Sequence, residues 1–419
     1  MELFLNLAGT AVMVVFLVLL VWRGLWQLGW LPAALHCPFA VKPLPRQAQQ
    51  PFDRRLCLFW FCAALAVQWA AALFGAWRTG HLADFGPWFW HRFTTAGDAP
   101  HYLRIAQEGY ATEGEWVNLI VFYPLYPTLI ELVARLTGLA AKQWGRALAA
   151  LLISQLCWGF AAVRLRILAG RLCGNDICAA RCASAAMLLF PFSFFSLGVY
   201  TESLFLLLTL GCLDALACGR FDRAGLWGFL AALCRTQGVL LVLAAGYAWF
   251  AAGKKSVRSF VPLLAIPAGF GVYLWLNWMT CGSPNAYYYF QTQPPWYQSV
   301  HWVGTNLAQN WSMAVAHPGL ARFIYWPQIV LYFAAMALLL YGVLHGAPVW
   351  LLIYGGGYIG FSYLSGWLIS GSRYVFGCAA LYPVVGCIKN KAARYAVLAA
   401  ETIFLLLYSV YYMQGQAIM

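Results

Sequence analysis

Apolar runs about twenty residues long recur from one end of this chain to the other, separated by short polar gaps, and that length at 1.5 Å per residue is a bilayer's hydrocarbon thickness. Leu3 to Trp22, Leu56 to Trp77, Ala147 to Leu168, Phe260 to Thr280, Trp326 to His345, Pro348 to Ile369 and Tyr395 to Met413 each suit a crossing helix. Other runs are shorter or broken. Ala183 to Tyr200 leads to a turn at Thr201-Glu202-Ser203, and Ala224 to Ala252 is split by Arg235-Thr236-Gln237-Gly238 into arms of 11 and 14 residues. Arms that short suit a hairpin whose polar apex, Arg235, stops inside the membrane. The pattern predicts an all-α polytopic membrane protein, a single domain over residues 1–419, with about ten to thirteen transmembrane helices including short or re-entrant segments.

The basic residues give this array its direction. They cluster at Arg23 to Arg55, Arg164 to Arg181, Arg220 to Arg223, Lys254 to Arg258 and Lys389 to Arg394, between apolar runs, which marks those gaps as cytoplasmic. Residues 78–118 then fall on the opposite, extracytoplasmic face with Asp84, Asp98, Glu108, Glu113 and Glu115, five of the chain's 13 acids. Both termini are expected on that face too. One conflict arises: if Leu119 to Leu139 and Ala147 to Leu168 both crossed, every later basic cluster would be inverted. The proline-interrupted Phe122-Tyr-Pro-Leu-Tyr-Pro127 is the expected exception, dented or re-entrant where protein satisfies its freed backbone groups. A second outer loop, residues 281–325, is rich in aromatics and amides, among them Asn285, Tyr287, Gln291, Trp296 and His301, which suits a sugar ring or an interfacial belt.

Composition agrees: of 419 residues 63% are hydrophobic and 9% charged, too little polar surface for a soluble globule. The net charge of +13 is scattered in short clusters, not gathered into the single patch that nucleic acid needs. Most of the 13 cysteines lie within apolar runs, where they act as small hydrophobes, and no zinc spacing occurs. The first apolar run has no basic leader or small-residue cleavage site and is read as a retained helix. No Walker or dinucleotide loop appears, and Asn310-Trp-Ser312 is a sequon too common by chance to argue for a compartment.

Six charged residues fall at the outer face on four separated segments: Asp98, His101 and Arg104, then Glu202, Arg235 and Arg373. Charge at a membrane boundary is expensive, and its convergence on one side points to a functional site, although a helix-end ion pair explains any one alone. Asp98 with Glu202 would also suit a divalent cation, but nothing in the spacing indicates one.

At these residues the chain resembles the PIG-V family, the second mannosyltransferase of GPI-anchor synthesis and its bacterial relatives. The resemblance rests on Asp98-Ala-Pro-His101-Tyr102-Leu-Arg104-Ile-Ala-Gln-Glu-Gly109-Tyr110, Phe122 to Pro127, Pro191-Phe-Ser-Phe-Phe, Tyr200-Thr-Glu202-Ser-Leu-Phe, Arg235-Thr-Gln237-Gly238 and Arg373-Tyr374, in the family's order, over roughly residues 55 to 390. Gly97 departs from it, because the family usually has tryptophan before the aspartate; the change removes a packing or sugar-stacking surface and bears on acceptor choice. The N-terminal helix does not map onto the pattern.

The resemblance implies a GT-C fold and a membrane glycosyltransferase, most simply a mannosyltransferase. Its sugar would come from a polyprenyl or dolichyl phosphate carrier and go, with inversion, to a lipid-linked or glycolipid acceptor on the extracytoplasmic face. It implies Asp98 as general base, Arg235, Arg373 and His101 as holders of the donor phosphate, and Glu202, Tyr102, Arg104, Tyr200, Gln237 and Tyr374 around acceptor or sugar, with Glu202 otherwise an arginine's partner. No metal or other cofactor is expected beyond the lipid-linked donor. The compact chain points to a bacterial cytoplasmic membrane rather than the endoplasmic reticulum. The rival class is a transporter or flippase for a lipid-linked sugar, which broken helices would also suit, but the chain has no internal repeat and its charges gather at one face.

Overall fold

The computed structural model describes residues 1–32, 35, 37–38, 53–174, 176–253, 256–366 and 368–418. Lys42 and Arg46 of the first basic cluster and Lys254 of the fourth lie outside them. Among the described residues the architecture is helical, with one isolated antiparallel bridge, Val300 to Ser365. Among the described residues six helices are long and apolar enough to cross a membrane: Glu2–Gln27, Arg54–Thr79, Gly145–Leu172, Val257–Cys281, Pro318–Leu344 and Lys391–Met413. Pro348 to Ile369, expected to cross, is helical only over Val349–Ser362, 14 residues, and the chain turns at Tyr363 before a full span is complete. The remaining apolar runs form the expected short and bent segments.

In chain order the helices that position the site are α1 (Glu2–Gln27), α2 (Arg54–Thr79), α3 (Phe85–Thr94), α4 (Ala99–Glu108), α5 (Leu125–Leu136), α6 (Gly145–Leu172), α7 (Ile177–Leu189), α8 (Glu202–Ala217), α9 (Phe221–Cys234) and α10 (Leu241–Ala251). They continue with α11 (Ala265–Cys281), α12 (Ala286–Thr292), α13 (Val303–Ala316), α14 (Trp326–Leu344), α15 (Val349–Ser362), α16 (Gly371–Gly377), α17 (Leu381–Gly386) and α18 (Lys391–Met413). Polar residues set several of their starts. Asp53 accepts from the Arg55 and Leu56 amides at α2, Asp176 from Ala179 at α7, and Asn390 from Ala392 and Ala393 at α18, each satisfying first-turn donors.

Side-chain contacts sort the bundle into two ends. At one, Arg23 donates to the carbonyls of Val343 and Ala347 at 2.7 and 2.6 Å, Arg171 meets Asp214 at 2.8 Å, and Arg394 meets Asp176 at 3.1 Å. At the other, the Arg92 side chain donates to the Tyr412 carbonyl and the Tyr412 hydroxyl to the Arg92 carbonyl. The first is the arginine-bearing end and the second carries Asp84 and Asp98, the division the charge pattern predicts.

The conflict at Leu119 to Leu139 resolves through a 106° bend between a 3₁₀ turn, Glu115–Val121, and α5. Tyr126 in the first turn of α5 hydrogen-bonds Ser154 of α6 at 2.8 Å, while Glu131 further along takes Arg146, in the first turn of α6, at 2.7 Å. So α5 runs antiparallel to the opening of α6 and returns to the end it came from. The carbonyls freed at the bend are met by protein: Tyr273 donates to Ile120 and Tyr110 to Phe122, at 2.6 and 2.7 Å. Pro124 and Pro127 fit because the start of a helix has no use for their missing N–H groups.

The hairpin at Arg235 also forms. α9 ends where Arg235 turns extended (φ −156°, ψ 151°), a 3₁₀ turn covers Thr236–Leu240, and α10 descends. At that apex a Cβ on Gly238 would lie 2.3 Å from the Ala231 carbonyl, so only glycine allows the approach. Residues 281–325 are more structured than a headgroup belt requires. α13 lies along the first turns of α1, with Trp302 donating to Thr10 at 2.8 Å and Ser312 to Glu2 at 2.6 Å, and Asn310 of the sequon is buried at 4% exposure.

The sidedness of this arrangement makes a direct prediction. Thr112 is exposed in the acid-bearing loop. A Thr112→Cys chain in intact cells should gain labelling by a membrane-impermeant thiol reagent over the parent chain. Equal labelling of the two would reverse the orientation.

Candidate active site

Four charges from four parts of the sequence meet at the acid-bearing end of the bundle. Glu202 is the centre. It is the first residue of α8, where the helix dipole favours a carboxylate, and it has 0% exposure. Its Oε1 accepts from Arg235 Nη1 at 3.0 Å and from Arg373 Nε and Nη2, each at 2.9 Å. Arg373 bridges outward with its remaining nitrogen, Nη1, to Asp98 Oδ2 at 2.8 Å. Two carboxylates and two guanidiniums leave the cluster formally neutral, which is what makes such deep burial tolerable.

Each guanidinium also lies near two aromatic rings. Arg373 lies over Tyr200 and Phe195 at 4.5 and 5.2 Å, and Arg235 over Tyr374 and Phe205 at 5.2 and 5.8 Å. The fork of Arg373 is held by its helix, whose first amide, Gly371, donates to Gln328 at 3.0 Å. A guanidinium stands between the two carboxylates, so Asp98 and Glu202 do not converge on one cation-sized space.

Asp98 differs from its partners in being open: its side chain keeps 30% exposure, against 6% for Arg373 and 10% for Arg235. It occupies the N-cap of α4, yet makes no capping bond and gives its carboxylate to Arg373. The turn into it depends on Gly97 at φ +59°, where a Cβ would lie 2.7 Å from the Tyr200 hydroxyl. That hydroxyl donates to the Ala96 carbonyl at 3.0 Å. The tryptophan the family pattern leads one to expect at 97 therefore has no room here; Tyr200 fills the place. Gly97→Ala should cost at least about 1 kcal/mol from the positive φ alone, read as a lower thermal midpoint, and an unchanged midpoint would mean the turn relaxes freely.

Around this core, His101 packs between Phe122 and Trp296, with ring centroids at 5.2 and 5.6 Å. Burial holds its imidazole below the usual histidine range and Asp98 only partly offsets this, so it is neutral near pH 7. Tyr102 is buried between Phe122 and Tyr126, and its phenol is pushed well above the ordinary range by burial first and by Asp98 second. Gln237 donates to Ser362 at 3.4 Å.

The structure thus brings Asp98, Glu202, Arg235 and Arg373 into one network, with His101, Tyr102, Tyr200 and Tyr374 around it, while Gln237 turns to Ser362. Arg104 does not join. It pairs with Glu108 at 3.0 Å and lies over Trp116 at 3.8 Å, on the face of α4 turned from the cluster. Glu202 and Tyr200, at 0% and 2% exposure, hold the arginines and offer no surface to a sugar. Sequence reasoning passed over Tyr123 and Thr236, whose side chains join the bend to the Arg235 apex by a 2.8 Å hydrogen bond. Both lie inside motifs already marked, Phe122 to Pro127 and Arg235 to Gly238, which is the signal that could have found them.

Fold and site together define a polytopic membrane protein with a neutral, mostly buried ion cluster at one end, in which Asp98 is the carboxylate left accessible. Residues 87–264 match the family model described as Mannosyltransferase (PIG-V), which bears out the resemblance read from the motifs. That stretch contains Asp98, His101, Tyr200, Glu202, Arg235 and Gln237, while Arg373 and Tyr374 lie beyond it. GPI alpha-1,6-mannosyltransferase 2 of Rattus norvegicus is 33% identical over 149 residues, 35% of this chain and 29% of the rat protein. The match therefore spans less than a third of that relative's length. Among solved structures, the Archaeoglobus fulgidus oligosaccharyltransferase in complex with Zn and sulfate aligns at TM-score 0.43 and 14% identity, over 82% of this chain and 53% of that one. The same enzyme tethered to an acceptor peptide aligns at 0.41 and 12%, over 84% and 55%.

Proposed function

We propose that the chain is a membrane glycosyltransferase of GT-C type that moves a sugar, mannose by family, from a polyprenyl phosphate carrier to a glycolipid or lipid-linked hydroxyl at the acid-bearing end. The observation that carries this reading is Asp98: a carboxylate oriented by Arg373 through Oδ2, with its side chain partly open to the acid-bearing face. The family match supplies the sugar chemistry, and the cluster supplies groups fit for it.

In this mechanism the acceptor hydroxyl hydrogen-bonds the Asp98 carboxylate. As its oxygen attacks the anomeric carbon, the proton passes to Asp98 and the carbon–oxygen bond to phosphate breaks on the opposite face, giving inversion through an oxocarbenium-like state. Negative charge grows on the departing lipid phosphate. Arg235 uses one nitrogen on Glu202 and keeps 10% exposure, so it is the guanidinium best placed to meet that charge. A neutral His101 would donate a hydrogen bond to the phosphate rather than a full charge. Arg373, with each of its three nitrogens on a carboxylate, acts chiefly as the positioning residue for Asp98. Trp296, from the second outer loop, stands over His101 and Phe122 as a wall for the sugar or carrier.

The test is a transfer assay with purified protein, a panel of polyprenyl-phosphate sugars and glycolipid acceptors, and mass analysis of the product. A lipid heavier by one hexose, formed from the mannose donor, is expected. No transfer from any member of the panel would overturn the reading.

A further inference from the structure

At the arginine-bearing end, remote from Asp98, the flanks of α2, α6, α8 and α9 enclose a cavity of about 870 Å³. Five arginines line it: Arg164, Arg166 and Arg171 from α6, Arg220 at the cap of α9 and Arg223 within it. Two carboxylates line it as well. Asp214 takes Arg171 at 2.8 Å and Arg164 at 3.6 Å, and Asp53 spends its Oδ1 on the N-terminus of α2. Among the described residues Arg166, Arg220 and Arg223 have no carboxylate within 4.0 Å. Arg166 is 8% exposed and its Nε has no hydrogen-bond partner. A guanidinium buried in that way is costly unless an anion completes it.

The rest of the lining is apolar and aromatic, including Phe61, Phe160 and Trp227. Phe160 is 52% exposed on the flank of the bundle, so the cavity borders the surface that faces lipid. A free anion would need the arginines alone; arginines beside an apolar wall that opens at Phe160 onto the flank of the bundle match an amphiphile.

We propose that this cavity binds an anionic, phosphate-headed membrane lipid, its phosphate on Arg166, Arg220 and Arg223 and a chain along Phe61 and Phe160. The site is separate from the sugar-transfer chemistry and does not depend on it. The full-length protein, purified in detergent, is titrated with phosphatidic acid, with phosphatidylcholine of the same chains, and with inorganic phosphate, following retained lipid by native mass spectrometry and the thermal midpoint. Phosphatidic acid should be retained and raise the midpoint, while the other two do little. Arg220→Gln with Arg223→Gln, both outside the packed core, and separately Arg166→Gln should each weaken retention about tenfold. Equal stabilisation by inorganic phosphate would make the ligand a free anion, and an equal response to phosphatidylcholine would reduce the site to ordinary lipid contact. Parent-like retention in both variants would remove the arginines from it. Any of these overturns the proposal.

Discussion

Asp98→Asn is expected to leave a folded protein that no longer transfers sugar. The amide keeps an oxygen to accept from Arg373 Nη1, which now sits 2.8 Å from the carboxylate, so the cluster retains its outermost hydrogen bond. What is lost is the proton acceptor. A positioned general base contributes about 10²–10⁴ in rate, and turnover should fall by that much, with a thermal midpoint lowered far less than in Glu202→Gln because Asp98 keeps 30% exposure and water screens the lost charge. Near-normal turnover in the purified variant would remove Asp98 from the chemistry and leave it a structural partner of Arg373.

Glu202→Gln should do the opposite, acting on stability before activity. With 0% exposure and two guanidiniums on one of its oxygens, Glu202 is the only counter-charge Arg235 has among the described ion pairs. Removing one partner of a buried ion pair costs about 3–5 kcal/mol, because the charge left behind stays desolvated. Here the two arginines would face each other across a neutral amide. A large drop in the thermal midpoint in detergent, with poor recovery of folded protein, is the expected result. A midpoint within a degree or two of the parent would mean that water reaches the cluster and the pair is not desolvated.

Much of this site could be read along the chain because its physics is local to each motif. The bend at Phe122 to Pro127 followed from prolines that cannot continue a helix and from the charge parity of the later turns. The apex at Arg235 followed from two apolar arms too short to cross. Arg104 could not be excluded by periodicity: it lies about 60° from His101 around α4, and its pairing with Glu108 and Trp116 is what takes it from the cluster. Other features had no local signal. That Glu202 takes both arginines, and that Trp296 reaches across to His101, are contacts between segments far apart in sequence, fixed by how the half-length helices dock. Gly97 needed coordinates too. Its departure from the family pattern looked like a missing ring, whereas the space is filled by Tyr200 from a neighbouring segment. The arginine-lined cavity was legible only as a basic turn, since the apolar flank that gives it shape comes from α2.

The bridging position of Arg373 has a consequence for how the chain matures during synthesis. By the time residue 235 is made, Glu202 and Arg235 can neutralise each other, so the inner half of the cluster can enter the membrane early without a stranded charge. Asp98, made long before, has no guanidinium of its own until the segment carrying residue 373 is inserted. The reactive carboxylate thus waits for a helix followed in the chain by only two others, and a nascent chain halted before residue 373 would carry the acid without the group that aims it.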